Sequence, residues 1–352
     1  MKISAFCKVA TCCQQGVCKR RLNLVFTRTP KLDQAFAKHQ PVTSRSNVLD
    51  QVAHSDAESL GDSRQGVNTD DGELTNIIER TTDQFPIAFY ALHYNPAGRS
   101  DWEFKGPLPH AYTPPSRTMT FDNDNRLATF NGTSVTIDNN GNLTYGPGTN
   151  NTLGAYAYDP RNELTSAGGI TYGYDPAGNR TSLTNGTNVA VYVIDPKTFQ
   201  VLMRIKAGAT NYYVYGGGLL YESDETATST KMAYYHFDSR GSTVALTDLN
   251  GNPTDAVEYS PYGTTTYRYG TNDTPFLYNG QFGVQTDSNG LLFMRARYYN
   301  PYICRFLNPD PSGFAGGLNL FQFCYENPIS ETDPFGLCGD QPSYGTLEQF
   351  KK

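Results

Sequence analysis

Four aspartates at near-regular intervals constrain this chain more than any other feature. Asp122, Asp138, Asp159 and Asp175 follow Phe121, Ile137, Tyr158 and Tyr174, and they stand 16, 21 and 16 positions apart. After them come Asn125-Arg126-Leu127, Gly141-Asn142-Leu143, Asn162-Glu163-Leu164 and Gly178-Asn179-Arg180. Each unit has an aromatic or β-branched residue, an Asp, a turn of Gly, Asn or Pro, then an apolar or basic residue opening the next strand. Physically this is a β-hairpin element. The Asp caps the turn through its side chain, Asn or Gly takes positive φ, and alternate side chains pack on one face. Asp-Pro and Asn-Gly turns occur in many β proteins, but four units in one register make an internal repeat.

Composition agrees. With 33 Gly, 21 Pro, 25 Tyr and only 38% hydrophobic residues, the chain suits many turns joining aromatic-rich extended segments. Helical stripes longer than two turns are hard to find, so the expected class is mainly β and antiparallel. The net charge of -6 argues against a nucleic-acid partner, which needs a basic footprint. Lys2, Lys8, Lys19, Arg20, Arg21, Arg28 and Lys31 do precede the first acid, Asp33. That start lacks the apolar stretch of a secretory signal, since Leu22 to Phe26 is short and contains Asn23. No run reaches the roughly 18 apolar residues of a membrane span. Localisation is unread, and secretion or surface display would depend on a delivery system.

Residues 1–116 show no sustained period and form the first region, expected to be partly disordered. Ser44 to Asp71 is polar and mixed in charge, a composition that buries too little apolar surface to offset its ordering entropy. Phe85 to Tyr94 reads as one strand or a buried turn, and Pro107, Pro109, Pro114 and Pro115 as an extended linker. Cys7, Cys12, Cys13 and Cys18 crowd one end, and Cys304, Cys324 and Cys338 the other. Neither group has paired metal-ligand spacing, and the odd total argues against a full disulfide framework. Reduced thiols and no metal or cofactor are expected.

The repeats resemble the YD repeats of Rhs proteins, Tc-toxin C components and teneurins, whose strands spiral into a large β shell. From 235 the likeness tightens. Tyr235-His236-Phe237-Asp238, Gly241-Ser242-Thr243 and Glu258-Tyr259-Ser260-Pro261-Tyr262-Gly263 are similar to the opening of the Rhs repeat-associated core. Gly290-Leu291-Leu292-Phe293-Met294-Arg295-Ala296-Arg297-Tyr298-Tyr299-Asn300-Pro301, followed by Arg305-Phe306-Leu307-Asn308-Pro309-Asp310-Pro311, looks like its most specific signature. Asp333-Pro334-Phe335-Gly336-Leu337 resembles its closing motif. This implies YD repeats over 117–234, a core domain over 235–337 and a short tail over 338–352.

In the family the chain is cut just after that Leu by an internal aspartic-type site. Carried over by motif, Asp310 and Asp333 are the paired carboxylates, Leu337–Cys338 the scissile bond and Arg305 a supporting cation. The chemistry is reasonable. Two close carboxyls cannot both ionise cheaply, so they share a proton and supply acid and base together. From chemistry alone, Asp310-Pro311 and Asp333-Pro334 are first of all turn dipeptides, as Asp159-Pro160 and Asp175-Pro176 are. Two departures stand out: Cys304 replaces the family's usual Gly in a turn that prefers positive φ, and Phe321-Gln322-Phe323-Cys324-Tyr325-Glu326 is a loose version of the approach to Asn327-Pro328.

Family members carry a toxin or effector after the Leu, whereas Cys338 to Lys352 is too short to fold alone. The expectation is a truncated Rhs shell fragment, related to polymorphic toxin encapsulation, and an enzyme at most in the single-turnover sense. Its partners would be other shell segments or a delivery component. The alternatives are a YD-repeat surface that binds carbohydrate and a non-functional remnant.

Overall fold

The computed structural model describes residues 63–68, 74–80, 86–94, 100–106 and 109–337. The calls on residues 1–62, on the tail from 338, and with them Cys338, lie outside the described residues. All described strands pair antiparallel, each chiefly with its neighbour in sequence. The first four are β1 (Ser63–Asn68), β2 (Leu74–Arg80), β3 (Pro86–Tyr94) and β4 (Ser100–Gly106), which form one sheet in that order. The sequence marked only the third of these. β1 is polar and β2 places Ile77 beside Ile78, so neither carries the clean alternation that marks a strand.

Three short strands follow, β5 (Met119–Phe121), β6 (Leu127–Phe130) and β7 (Thr133–Ser134), making a small sheet. The main sheet has fourteen strands in sequence order. It begins with β8 (Thr136–Ile137), β9 (Leu143–Pro147), β10 (Leu153–Tyr158), β11 (Leu164–Ala167) and β12 (Ile170–Tyr174). It continues with β13 (Arg180–Asn185), β14 (Asn188–Ile194), β15 (Val201–Lys206), β16 (Ala209–Tyr215) and β17 (Leu219–Glu225). It ends with β18 (Thr230–Phe237), β19 (Thr243–Thr247), β20 (Pro253–Tyr259) and β21 (Thr265–Tyr269). β18 runs through residue 235, so the repeats and the core signature share one sheet.

The repeat turns have the geometry their residues require. The Oδ1 of Asp122, Asp138, Asp159 and Asp175 accepts main-chain N–H bonds from the residues two and four positions on. The residue three positions on is left-handed: Asn125 at φ 60°, Gly141 at 87°, Asn162 at 62° and Gly178 at 85°.

Alternation along β14 gives the sheet two faces. Val189, Val191 and Val193 are exposed, while Ala190 and Tyr192 are buried. Against the buried face lies a second set of strands, β22 (Gln285–Thr286), β23 (Leu292–Met294), β24 (Arg297–Asn300) and β25 (Arg305–Phe306). Leu143, Leu164, Ile170 and Tyr172 of the sheet pack with Leu291, Phe293, Tyr298 and Leu307. On the other side of these short strands, Tyr299, Phe306 and Phe323 form a further cluster. One ion pair ties the layers together. Arg180, on β13, donates from Nη1 to both Asp287 oxygens at 2.9 and 2.7 Å and to the Tyr298 hydroxyl at 2.7 Å. Both charged side chains are buried, so each depends on the other for solvation.

Candidate active site

The closing motif is built as a repeat turn. In Asp175-Pro176-Ala177-Gly178-Asn179, the Gly178 N–H donates to the Asp175 carbonyl at 3.0 Å and the Asn179 N–H to Asp175 Oδ1 at 2.9 Å. In Asp333-Pro334-Phe335-Gly336-Leu337, Gly336 N–H donates to the Asp333 carbonyl at 3.3 Å and Leu337 N–H to Asp333 Oδ1 at 2.9 Å. Asp310 opens a similar turn. Gly313 N–H donates to its carbonyl at 3.0 Å and Ser312 N–H to its Oδ1 at 2.8 Å. Gly336 lies at φ 66°, and a Cβ there would come 2.7 Å from the Met294 carbonyl. Only glycine fits both demands.

These two turns differ from most of the others in what holds the second carboxylate oxygen, a feature they share with the Asp287 turn, whose Oδ2 goes to Arg180. Arg126, Asn142, Arg161, Asn179, Arg240 and Asn252 donate to the Oδ2 of the aspartate that opens their own turn, at 2.7 to 3.3 Å. Four positions after Asp310 and Asp333 stand Phe314 and Leu337, whose side chains have no donor. Their Oδ2 atoms turn instead to Arg297, whose Nη2 lies 2.8 Å from Asp310 and 3.5 Å from Asp333. All three side chains are buried. The structure thus brings Asp310, Asp333 and Leu337 together around one guanidinium.

That guanidinium is itself fixed on every side. Arg297 Nη1 donates to the Leu320 carbonyl at 3.0 Å, Nε donates to the Gly336 carbonyl, and its plane covers the Phe306 ring with the carbon 3.6 Å from the centroid. Leu320 also accepts the Asp310 N–H at 2.9 Å, so one carbonyl positions both members of the ion pair. The Ser312 hydroxyl donates to Asp310 Oδ1 at 2.5 Å. Asp310, Ser312 and Leu337 border a cleft of about 320 Å³, whose other wall holds Arg161, Glu163 and Asn142. Burial pushes Glu163 up to about 7, and Arg161 opposes the shift.

Arg305 is placed elsewhere. Its Nη2 donates to the Asn125 carbonyl and to Asn319 Oδ1, and it lies over the Phe121 ring. The reason is strand parity. Tyr299 pairs with Phe306 and Asn300 with Arg305, so Arg297, Tyr299 and Phe306 share one face while Arg305 belongs to the other. Nearness to Asp310 in sequence suggested Arg305; counting alternation back along β24 points to Arg297. Cys304 lies at φ 57°, left-handed as its place in the motif implies, with Arg117 Nη2 3.5 Å from its sulfur.

No family model matches the chain. Sequence relatives include the tRNA3(Ser)-specific nuclease WapA of Bacillus spizizenii, 30% identical over 235 residues, which is 62% of this chain and 10% of that protein. Double-stranded DNA deaminase toxin A of Burkholderia cenocepacia is 33% identical over 121 residues, 33% of this chain and 8% of its own length. Toxin subunit YenC1 of Yersinia entomophaga is 36% identical over 109 residues, 29% of this chain and 11% of that subunit. The chain therefore spans about a tenth of the length of these relatives. Among solved structures, the crystal structure of TcdB2-TccC3-Cdc42 superposes with a TM-score of 0.56 at 17% identity, over 79% of this chain and 18% of that one. At that identity the likeness is one of fold.

Proposed function

The chain belongs to the Rhs/YD-repeat family, and from that premise we propose that it is part of a toxin-associated Rhs shell that cuts itself after Leu337. The observation that carries this reading is Arg297 bound to both Asp310 and Asp333 while Asp333 holds the Leu337 N–H. Two buried carboxylates would repel one another. Here the cation that offsets that repulsion is Arg297, where the motif suggested a shared proton with Arg305 in support.

In the proposed step a water oxygen attacks the Leu337 carbonyl carbon. One carboxylate takes a proton from the water and, as the bond to the following nitrogen breaks, gives it to that nitrogen, so the carboxylate is restored and the amine leaves neutral. Arg297 holds the two carboxylates in place and balances their charge throughout. Because the scissile bond belongs to the same chain, the reaction is intramolecular, which contributes about 7–11 kcal/mol to lowering the barrier when the geometry is right. The domain division at 117, 235 and 338, and partnership with other shell segments or a delivery component, belong to the same proposal.

Intact mass of the purified chain tests it. The wild type should lose the residues after Leu337 without added protease, and Asp310→Asn and Asp333→Asn should each slow the loss by about 10²–10⁴-fold. The rate should not change on dilution. A wild-type mass that stays full length would sink the activity, and cleavage persisting in both variants would point to a host protease.

A further inference from the structure

Three consecutive residues hold three consecutive carbonyls just before Leu337. Arg295 Nη1 donates to the Pro334 carbonyl at 2.7 Å, Ala296 N–H donates to the Phe335 carbonyl at 3.2 Å, and Arg297 Nε donates to the Gly336 carbonyl. The match is one for one because β23 and β24 are joined by a two-residue turn, Arg295-Ala296, that lies against the Asp333 turn. Arg297 already has a place in the ion-pair cluster. Arg295 does not, and it occupies the first position of a two-residue hairpin turn, where glycine is the usual residue. It sits at φ 56°, in the left-handed region that L side chains rarely adopt.

What the side chain adds is a set of contacts from its guanidinium. Nη2 donates to the Phe282 carbonyl at 2.7 Å, so the fork bridges Phe282 and Pro334. The same group lies on the Phe335 ring, 4.4 Å from the centroid. Space is reserved for it. A Cβ on Gly283 would fall 2.7 Å from Arg295 Nη2.

We infer that Arg295 is a positioning residue for the cut: by gripping the Pro334 carbonyl and the Phe335 ring, it sets the main-chain register that presents the Leu337 carbonyl to the Asp310–Asp333 pair. The inference rests on the self-cleavage reading above. A planar fork with two donors suits this task and an ammonium does not, because one point donor cannot bridge two fixed carbonyls and cover a ring at once. Small misplacement is enough to matter, since a shift of about 1 Å can cost about 10²-fold in rate.

The test is a time course of the full chain made by cell-free translation, for wild type, Arg295→Ala and Arg295→Lys, with thermal melting of each. Arg295→Ala is expected to slow cleavage by about 10- to 100-fold and to regain part of the rate when methylguanidinium is added after translation stops. Arg295→Lys should lie between the two and melt close to wild type. A wild type that is cut while Arg295→Ala is cut equally fast overturns the positioning role and leaves the self-cleavage reading intact. Slow cleavage that methylguanidinium leaves unchanged, with a lowered melting point in both variants, also overturns it, by making Arg295 part of the packing. A wild type that stays whole overturns the reading and this role together.

Discussion

At the scale of single residues, a donor inside the turn, two or four positions after the aspartate, holds the second carboxylate oxygen in most repeat turns. Where it is missing a distant arginine takes that oxygen, as Arg180 does for Asp287 and Arg297 for Asp310 and Asp333. Asn179 captures Asp175 Oδ2 at 2.9 Å; Leu337 cannot capture that of Asp333, which faces Arg297 instead. Leu337→Asn should therefore convert the closing motif into a repeat-like turn. Its amide would compete with Arg297 for Oδ2, and self-cleavage should slow by about tenfold or more, in line with the loss of one charge-assisted bond. Intact-mass time courses check this, and an unchanged rate would show that the Oδ2 contact with Arg297 is dispensable. The same comparison divides the two arginines. Arg297→Ala should abolish cleavage, whereas Arg305→Ala, on the opposite face of the hairpin, should leave the rate within about threefold, because its donors serve Asn125 and Asn319 rather than a carboxylate. Equal loss in both would return Arg305 to the role its sequence position first suggested.

At the scale of elements, turns were the most legible part of this chain and strand pairing the least. Asp, then Gly or Asn three positions on, encodes a local geometry that needs no distant partner, and each repeat turn has it. Asp310 and Asp333 were singled out by resemblance to the family's motifs, since as turn residues they look like Asp159-Pro160 and Asp175-Pro176. Arg297 was not, because its partners come from turns 13 and 36 positions away, and only the alternation of β24 says which face it takes. β1 and β2 escaped notice because their residues do not alternate cleanly, whereas β4 does alternate, Trp102 and Phe104 with Asp101, Glu103 and Lys105, but over too few residues to stand out. Cys304 is the element-scale test. It holds a left-handed turn between β24 and β25 that glycine adopts without penalty. Cys304→Gly should raise stability by about 1 kcal/mol, less whatever the contact with Arg117 contributes. Urea melts of the two chains settle the sign, and a destabilised glycine variant would mean that the sulfur's contacts outweigh the backbone strain.

At the scale of the whole molecule, the fourteen-stranded sheet and the short strands that carry Arg297 are joined by buried polar groups as well as by apolar packing. The sheet also buries a carboxylate of its own, Glu222 on β17, to which the Tyr235 hydroxyl of the neighbouring β18 donates at 2.7 Å. Burial pushes it up to about 7 from an ordinary value of 4.5. A raised folded-state value favours the protonated form, so its contribution is fully present below about 4.5 and lost as pH rises through about 7. Glu222→Gln should therefore be more stable than wild type at pH 8, by on the order of 1–3 kcal/mol, and the gap should close by about pH 5.

The Arg180–Asp287 pair makes the stronger claim, because it bridges the two layers with full, buried charges. Asp287→Asn leaves a buried guanidinium without its counter-charge and should cost about 3–5 kcal/mol. The double variant Arg180→Met, Asp287→Leu removes both charges and keeps the volume filled, so it should recover most of that loss. Cleavage should follow a different rule. Arg297, Asp310 and Asp333 are fixed by Leu320, Ser312, Phe306 and Gly336, all within the carboxy-terminal segment and none of them on the sheet. The folded fraction of the double variant should then cut itself at the wild-type rate, as read from mass time courses well below its melting temperature. A double variant that melts like the wild type but no longer cuts would show that the sheet orients the site through Arg180, and that the reaction depends on the joint between the layers.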